Sequence, residues 1–150
     1  MTTNEVLTRH NFVSKLLLKN DHAELSRDLK VKVMSMRIEY GKVRKQFDED
    51  LQEFVKNINN ERFSELQGKL DRTEEENKEL QELTDKINGD YQAYVNARLK
   101  EEVSISDKKF TEEDYAEIVE VNAGNDVEIN NTKLDAADFL EIFYTLFFTD

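Results

Sequence analysis

Apolar residues recur along this chain at helical intervals. Leu25, Leu29, Val33, Met36, Tyr40, Val43, Phe47, Leu51, Phe54 and Ile58 are separated by 4, 4, 3, 4, 3, 4, 4, 3 and 4 positions. The mean step of about 3.67 residues is that of a nearly straight α-helix, closer to an eleven-residue repeat than to a heptad. Asp21, with Glu24 three residues on, has the capping-box pattern that starts such a helix, so the spacing predicts a helix from His22 to Ile58. Its length is on the order of 55 Å, too long for the core of one small globule, and its stripe therefore requires a partner helix. Phe63, Leu66, Leu70, Leu80, Leu83, Ile87, Tyr91, Tyr94 and Leu99 form a second stripe. Asn57, Asn59 and Asn60 favour a reversal between the two, giving antiparallel arms 22–58 and 61–100. The alternative is a reversal within 68–77, where Thr73 and Glu76 have the pattern of a new helix cap. Gly41, Gly68 and Gly89 each weaken a helix by about 1 kcal/mol relative to Ala and are candidate kinks, with Gly89–Asp90 a candidate break. Upstream, Phe12, Val13, Leu16, Leu17 and Leu18 predict a short helix ending near Asn20.

The remainder of the chain repeats itself. VSISDKKFTEEDYAEIV from Val103 and VEINNTKLDAADFLEIF from Val127 align at an offset of 24 residues. Each copy reads as a Val-x-Ile strand, a polar turn, an N-cap at Thr111 or Asp135, and a short helix. Neither unit is large enough to bury its own apolar side, so the two are expected to pair Val103–Ile105 with Val127–Ile129 in one small sheet. Phe110, Tyr115 and Ile118 would then pack against Leu134, Phe139 and Ile142. The expected architecture is mainly α: a coiled-coil-like antiparallel helical hairpin in residues 1–100, and a small α+β module of two strand–helix repeats (103–119 and 127–143) in residues 101–150.

Composition sharpens this picture. Hydrophobic residues make up 38% and charged residues 36% of 150, which suits an elongated helical protein better than one wrapped around a large core. No apolar run approaches the roughly 18–20 residues of a membrane span, and the start has neither a basic leader nor a hydrophobic signal core. A cytoplasmic location during assembly, or within a particle assembled there, is expected, without secretion or a membrane partner. The absence of Cys excludes disulfides and thiol chemistry. The net charge of −12 is unevenly placed. Residues 101–150 carry 14 acidic and 3 basic side chains, whereas Arg27–Lys45 carries 7 basic against 2 acidic. Such opposite patches favour mutual contact within or between chains; the plainer alternative is that both are solvated faces.

Candidate chemistry is sparse. His10 and His22 are the only histidines, no Ser-His-Asp set can be assembled from the pattern, and no two of the four glycines lie close enough for a phosphate loop. Asp114 with Glu117, and Asp138 with Glu141, are acidic pairs suited in principle to a hard cation. Helix capping and solvation already account for them. The basic segment lacks an accompanying set of stacking aromatics, so nucleic acid is not an expected partner. No enzymatic activity, cofactor or metal site is expected. The apolar stripes read as core, whereas Phe139, Phe143, Leu146, Phe147 and Phe148 are too apolar for a free terminus and are the expected partner-binding residues.

The order of short helix, helical hairpin, Val-x-Ile after Lys100-Glu101-Glu102 and the acidic segment Leu134–Leu140 resembles small tailed-phage proteins from structural gene modules. Those proteins carry one strand-and-helix ending where this chain carries two. The resemblance implies a non-enzymatic, virion-associated structural or assembly protein whose partners are copies of itself or a larger structural protein. The rival readings are a small acidic inhibitor that occupies a basic groove on a host protein, and a cytoplasmic helical adaptor. Steep loss of binding with salt would mark the inhibitor.

Overall fold

The computed structural model describes residues 1–16, 24–58, 60–106, 108–122 and 124–148. Among these residues, six helices, α1 (Thr3–Leu16), α2 (Arg27–Asn57), α3 (Glu61–Gly68), α4 (Glu74–Lys100), α5 (Glu112–Asn122) and α6 (Ala136–Phe148), accompany two strands, β1 (Val127–Ile129) and β2 (Thr132–Leu134). The fold is mainly α, with three quarters of the described residues helical. Among them, no helix is long and apolar enough to cross a membrane.

The α2 stripe is buried as its period predicts: Leu29, Val33, Met36, Tyr40 and Phe47 all face inward. The helix starts later than expected. Residues 24–26 are not helical, and Ser26 is the cap, accepting the Leu29 N–H on its side chain. The proposed Asp21 cap, His22, Leu17 and Leu18 lie outside the described residues. Burial of α2 comes chiefly from α1, whose Val6, Phe12, Val13 and Leu16 belong to the same core as Leu29 through Tyr40.

The reversal of the hairpin corrects the favoured expectation. Both candidate sites interrupt the helices, but only 69–73 turns the chain back. Phe54 of α2 stacks on Tyr94 of α4 at 4.1 Å, Asp50 pairs with Arg98, and Arg62 of α3 pairs with Glu79 of α4 at 2.9 Å. The pairings step in opposite directions along the sequence, so α2 and α3 form one interrupted arm and α4 the return arm. Local chemistry explains the choice. Asn60 caps α3 through Phe63 N–H, which restarts a helix without reversing it. At 69–73, Arg72 donates to the Leu66 and Lys69 carbonyls, satisfying acceptors orphaned at the α3 terminus. Thr73 and Glu76 then make a reciprocal capping box, with Glu74, Glu75 and Glu76 at the positive end of the α4 dipole. Gly89 does not break α4, which runs unbroken to Lys100.

The strand pairing is also corrected. Val127–Ile129 pairs not with Val103–Ile105 but with Thr132–Leu134, as an antiparallel hairpin in the register Val127 to Leu134. Asn130 and Asn131 supply the turn at φ 51° and 63°, the left-handed pair that a tight two-residue hairpin requires and that Asn tolerates. The first copy has Ser106 and Asp107 at these two positions. Val103 is instead engaged by the start of the chain: its N–H donates to the Met1 carbonyl, and Glu102 bridges to Thr2. The helix caps are where the repeat puts them. Thr111 and Asp114 exchange hydrogen bonds, and Asp135 accepts the Asp138 N–H.

One core joins both ends of the chain. Phe12 of α1 stacks on Phe139 of α6 at 5.3 Å, and Phe110, Ile118, Ile129 and Phe143 close the same cluster. The distal hairpin lies beyond it. There Leu66 is fully buried, yet no residue of α4 is, and Leu70 is 99% exposed. The second stripe is thus half-buried rather than core, because two helices alone cover only one side of each other.

Candidate interaction surfaces

The C-terminal aromatics were the sequence's candidate contact residues, and α6 divides them. Phe139 and Phe143 have no exposed surface. Phe143 lies against Phe110 at 5.3 Å and Phe147 at 4.6 Å. Both residues are spent on the chain's own core, so as partner-binding residues they are corrected. Leu146, Phe147 and Phe148 are partly buried against that core, with Arg9 of α1 poised 5.1 Å above the Phe147 ring in a cation–π contact. The terminus therefore folds back on α1, a packing that no single-helix pattern could reveal.

The first acidic pair of the repeat fastens α5 to α2, whereas Asp138 and Glu141 of the second are exposed on α6. Asp114 pairs with Lys32, and Glu117 accepts the Ser26 N–H and hydroxyl. Partial burial pushes the Asp114 carboxyl up, but the Lys32 ammonium and the Thr111 N–H outweigh it and hold it below the usual carboxylate range. Among the described residues, no cluster of three or more His, Asp or Glu is placed to hold a metal.

A cleft of about 410 Å³ lies between α1 and α2, lined by His10, Gly41, Arg44, Lys45 and Asp48 among others. The imidazole lies against the α2 backbone at Gly41, where a Cβ would sit in ordinary van der Waals contact, 3.6 Å from Nε2. Burial first, then Arg44 and Arg37, push the His10 pKa down against the opposing pull of Asp48. Arg44 is held by Asn11 and Arg37 by Ser14. The cleft sets one imidazole beside cations, with Asp48 the opposing charge.

The surface that sequence reasoning missed is the outer face of α2. Val31, Met34 and Ile38 are 62%, 43% and 54% exposed. They lie on the side of the helix opposite Leu29, Val33, Met36 and Tyr40. Arg27, Val31, Met34, Ile38, Gly41 and Lys45 follow one another at steps of 4, 3, 4, 3 and 4, the spacing of a coiled-coil seam. Lys30 and Lys42 flank it, also exposed. That alternation was legible in the sequence. It was passed over because the longer inner stripe had already explained the helix.

A second exposed patch lies between α5 and α6. Tyr144 packs edge-on to Tyr115 at 5.3 Å and stacks on Phe148 at 5.1 Å. Val119 follows Tyr115 by one turn on the same face of α5. Glu112 on that face of α5 and Glu141 on the Tyr144 face of α6 are both exposed, as is Glu120. This patch is apolar and acidic where the α2 face is apolar and basic. No protein family, curated protein or solved structure matches the chain.

Proposed function

We propose that this chain is a non-enzymatic structural or assembly protein that works through protein–protein contacts, of the kind carried in tailed-phage structural modules. The observation that carries the reading is the two-faced α2. One face builds the core, and the opposite face presents Val31, Met34 and Ile38 to solvent at the spacing a second helix reads. The half-buried α4 stripe adds further apolar contact area. Charge supports the same reading, because an apolar seam rimmed by Arg27, Lys30, Lys42 and Lys45 selects among partners as well as binding them.

Photo-cross-linking in the cell that naturally makes the protein tests it. A photoreactive residue replacing Met34 or Ile38 should yield adducts with another polypeptide, while one replacing the exposed Gln92 of α4 should yield few. Absence of polypeptide adducts at both α2 positions sinks the reading.

A further inference from the structure

We infer that the basic outer face of α2 in one copy docks on the acidic α5–α6 patch of a second copy, so that the chain assembles head to tail. This rests on the assembly reading above and names its partner. Self-pairing of the α2 face is opposed by charge. In an antiparallel pair Arg27 of one helix meets Lys45 of the other, and in a parallel pair each cation meets its own copy, which brings like charges together either way. The face therefore needs an acidic, apolar counterpart.

The chain carries one. Tyr115, Tyr144 and Phe148 form an aromatic floor, with the exposed Val119 one turn along α5 and the exposed Glu112, Glu120 and Glu141 on the same two helices. Val31, Met34 and Ile38 supply apolar side chains to that floor, while Arg27, Lys30 and Lys45 reach the carboxylates and the tyrosine rings. Within one copy the two surfaces cannot meet. The opposite side of α5 is already fixed to α2 through Asp114–Lys32 and Glu117–Ser26, which turns the Tyr115–Val119 face away. A contact between two different surfaces is heterologous, and each docked copy leaves one of each surface open. It therefore grows to a ring or an open filament rather than stopping at a dimer.

Sedimentation of the purified full chain over a dilution series, at low and high salt, tests this. The wild type should self-associate, and less so at about 1 M salt, where the Debye length is only about 3 Å. Ile38→Glu, with Met34→Asp as the second variant, should weaken association by about 30-fold or more, as should Val119→Lys combined with Glu141→Lys. All these positions are exposed, and unfolding curves like the wild type's confirm that the variants are folded. The decisive step is mixing the two classes. An Ile38→Glu copy retains an intact acidic patch and a Val119→Lys/Glu141→Lys copy an intact α2 face, so the mixture should form a one-to-one pair that cannot grow. A wild type that stays monomeric, association unmoved by either variant class, or a mixture that fails to pair each overturns the inference. A monomer in pure solution whose Ile38 position still cross-links to a different polypeptide in cells overturns self-docking alone and leaves the assembly reading standing.

Discussion

Phe139→Ala tests whether the two ends of the chain share one core. Phe139 has no exposed surface, stacks on Phe12 with an interplanar angle of 11°, and lies 6.1 Å from the Phe143 ring. Losing the buried ring forfeits about 1.5–3 kcal/mol of transfer free energy. The two ring contacts add about 0.5–1.5 kcal/mol each. With a cavity that α1 and α6 can only partly close, the expected loss is about 4 kcal/mol, within the usual range for Phe→Ala in a core. Against a typical domain stability of about 5–15 kcal/mol this is severe but measurable. Urea titration followed by far-ultraviolet circular dichroism and by the summed fluorescence of the five tyrosines reads it. One coincident transition is expected, at a lower midpoint and unchanged slope. The exposed Ile142, replaced by Ala, should cost less than about 1 kcal/mol. A Phe139→Ala loss below about 1 kcal/mol, or fluorescence and circular dichroism transitions that do not coincide, refutes the shared core.

Deleting residues 143–150 removes the fully buried Phe143 together with Phe147 beneath Arg9, and should abolish the folded state; a folded, merely monomeric product would return the segment to the partner surface. His10 should make stability depend on mildly acidic pH. Its folded pKa lies below the ordinary 6.5 because burial, Arg44 and Arg37 disfavour the charged ring. The stability it supports is present in full above about pH 6.5 and is lost as pH falls through the lowered value. His10→Gln, with His22 left in place, should flatten the fall in urea midpoint between about pH 7 and about pH 5. Identical profiles for the two proteins contradict that role.

How far the sequence could be read varies by element. The inner stripe of α2 was legible because helical period survives whatever covers it. Its cover was not, since α1 meets α2 through contacts that no spacing records. The reversal was misplaced because two asparagine-rich and cap-rich sites competed. The Arg72 donors that secure the true one act on carbonyls, which a side-chain pattern does not display. β2 was invisible: Thr132-Lys133-Leu134 has no alternating apolar face, and the two left-handed asparagines define it instead. Among the contact residues, the apolar terminus was rightly seen as needing cover. That cover came from Phe12 and Arg9 on the most distant helix in sequence, while the exposed seam of α2 was hidden in plain alternation.

The stacking of Phe12 on Phe139 also sets a timetable. Helix α1 is made before α6 and is not fully covered until α6 follows, because the aromatic partner of Phe12 lies on that helix. Until then the surface later occupied by α6 stays open to chaperones and to neighbouring nascent chains. Closure over so long a stretch of chain raises the contact order above that of a simple hairpin and slows the final step of folding. Nascent chains that stop before α6 should thus be bound by chaperones, and chains that contain α6 released.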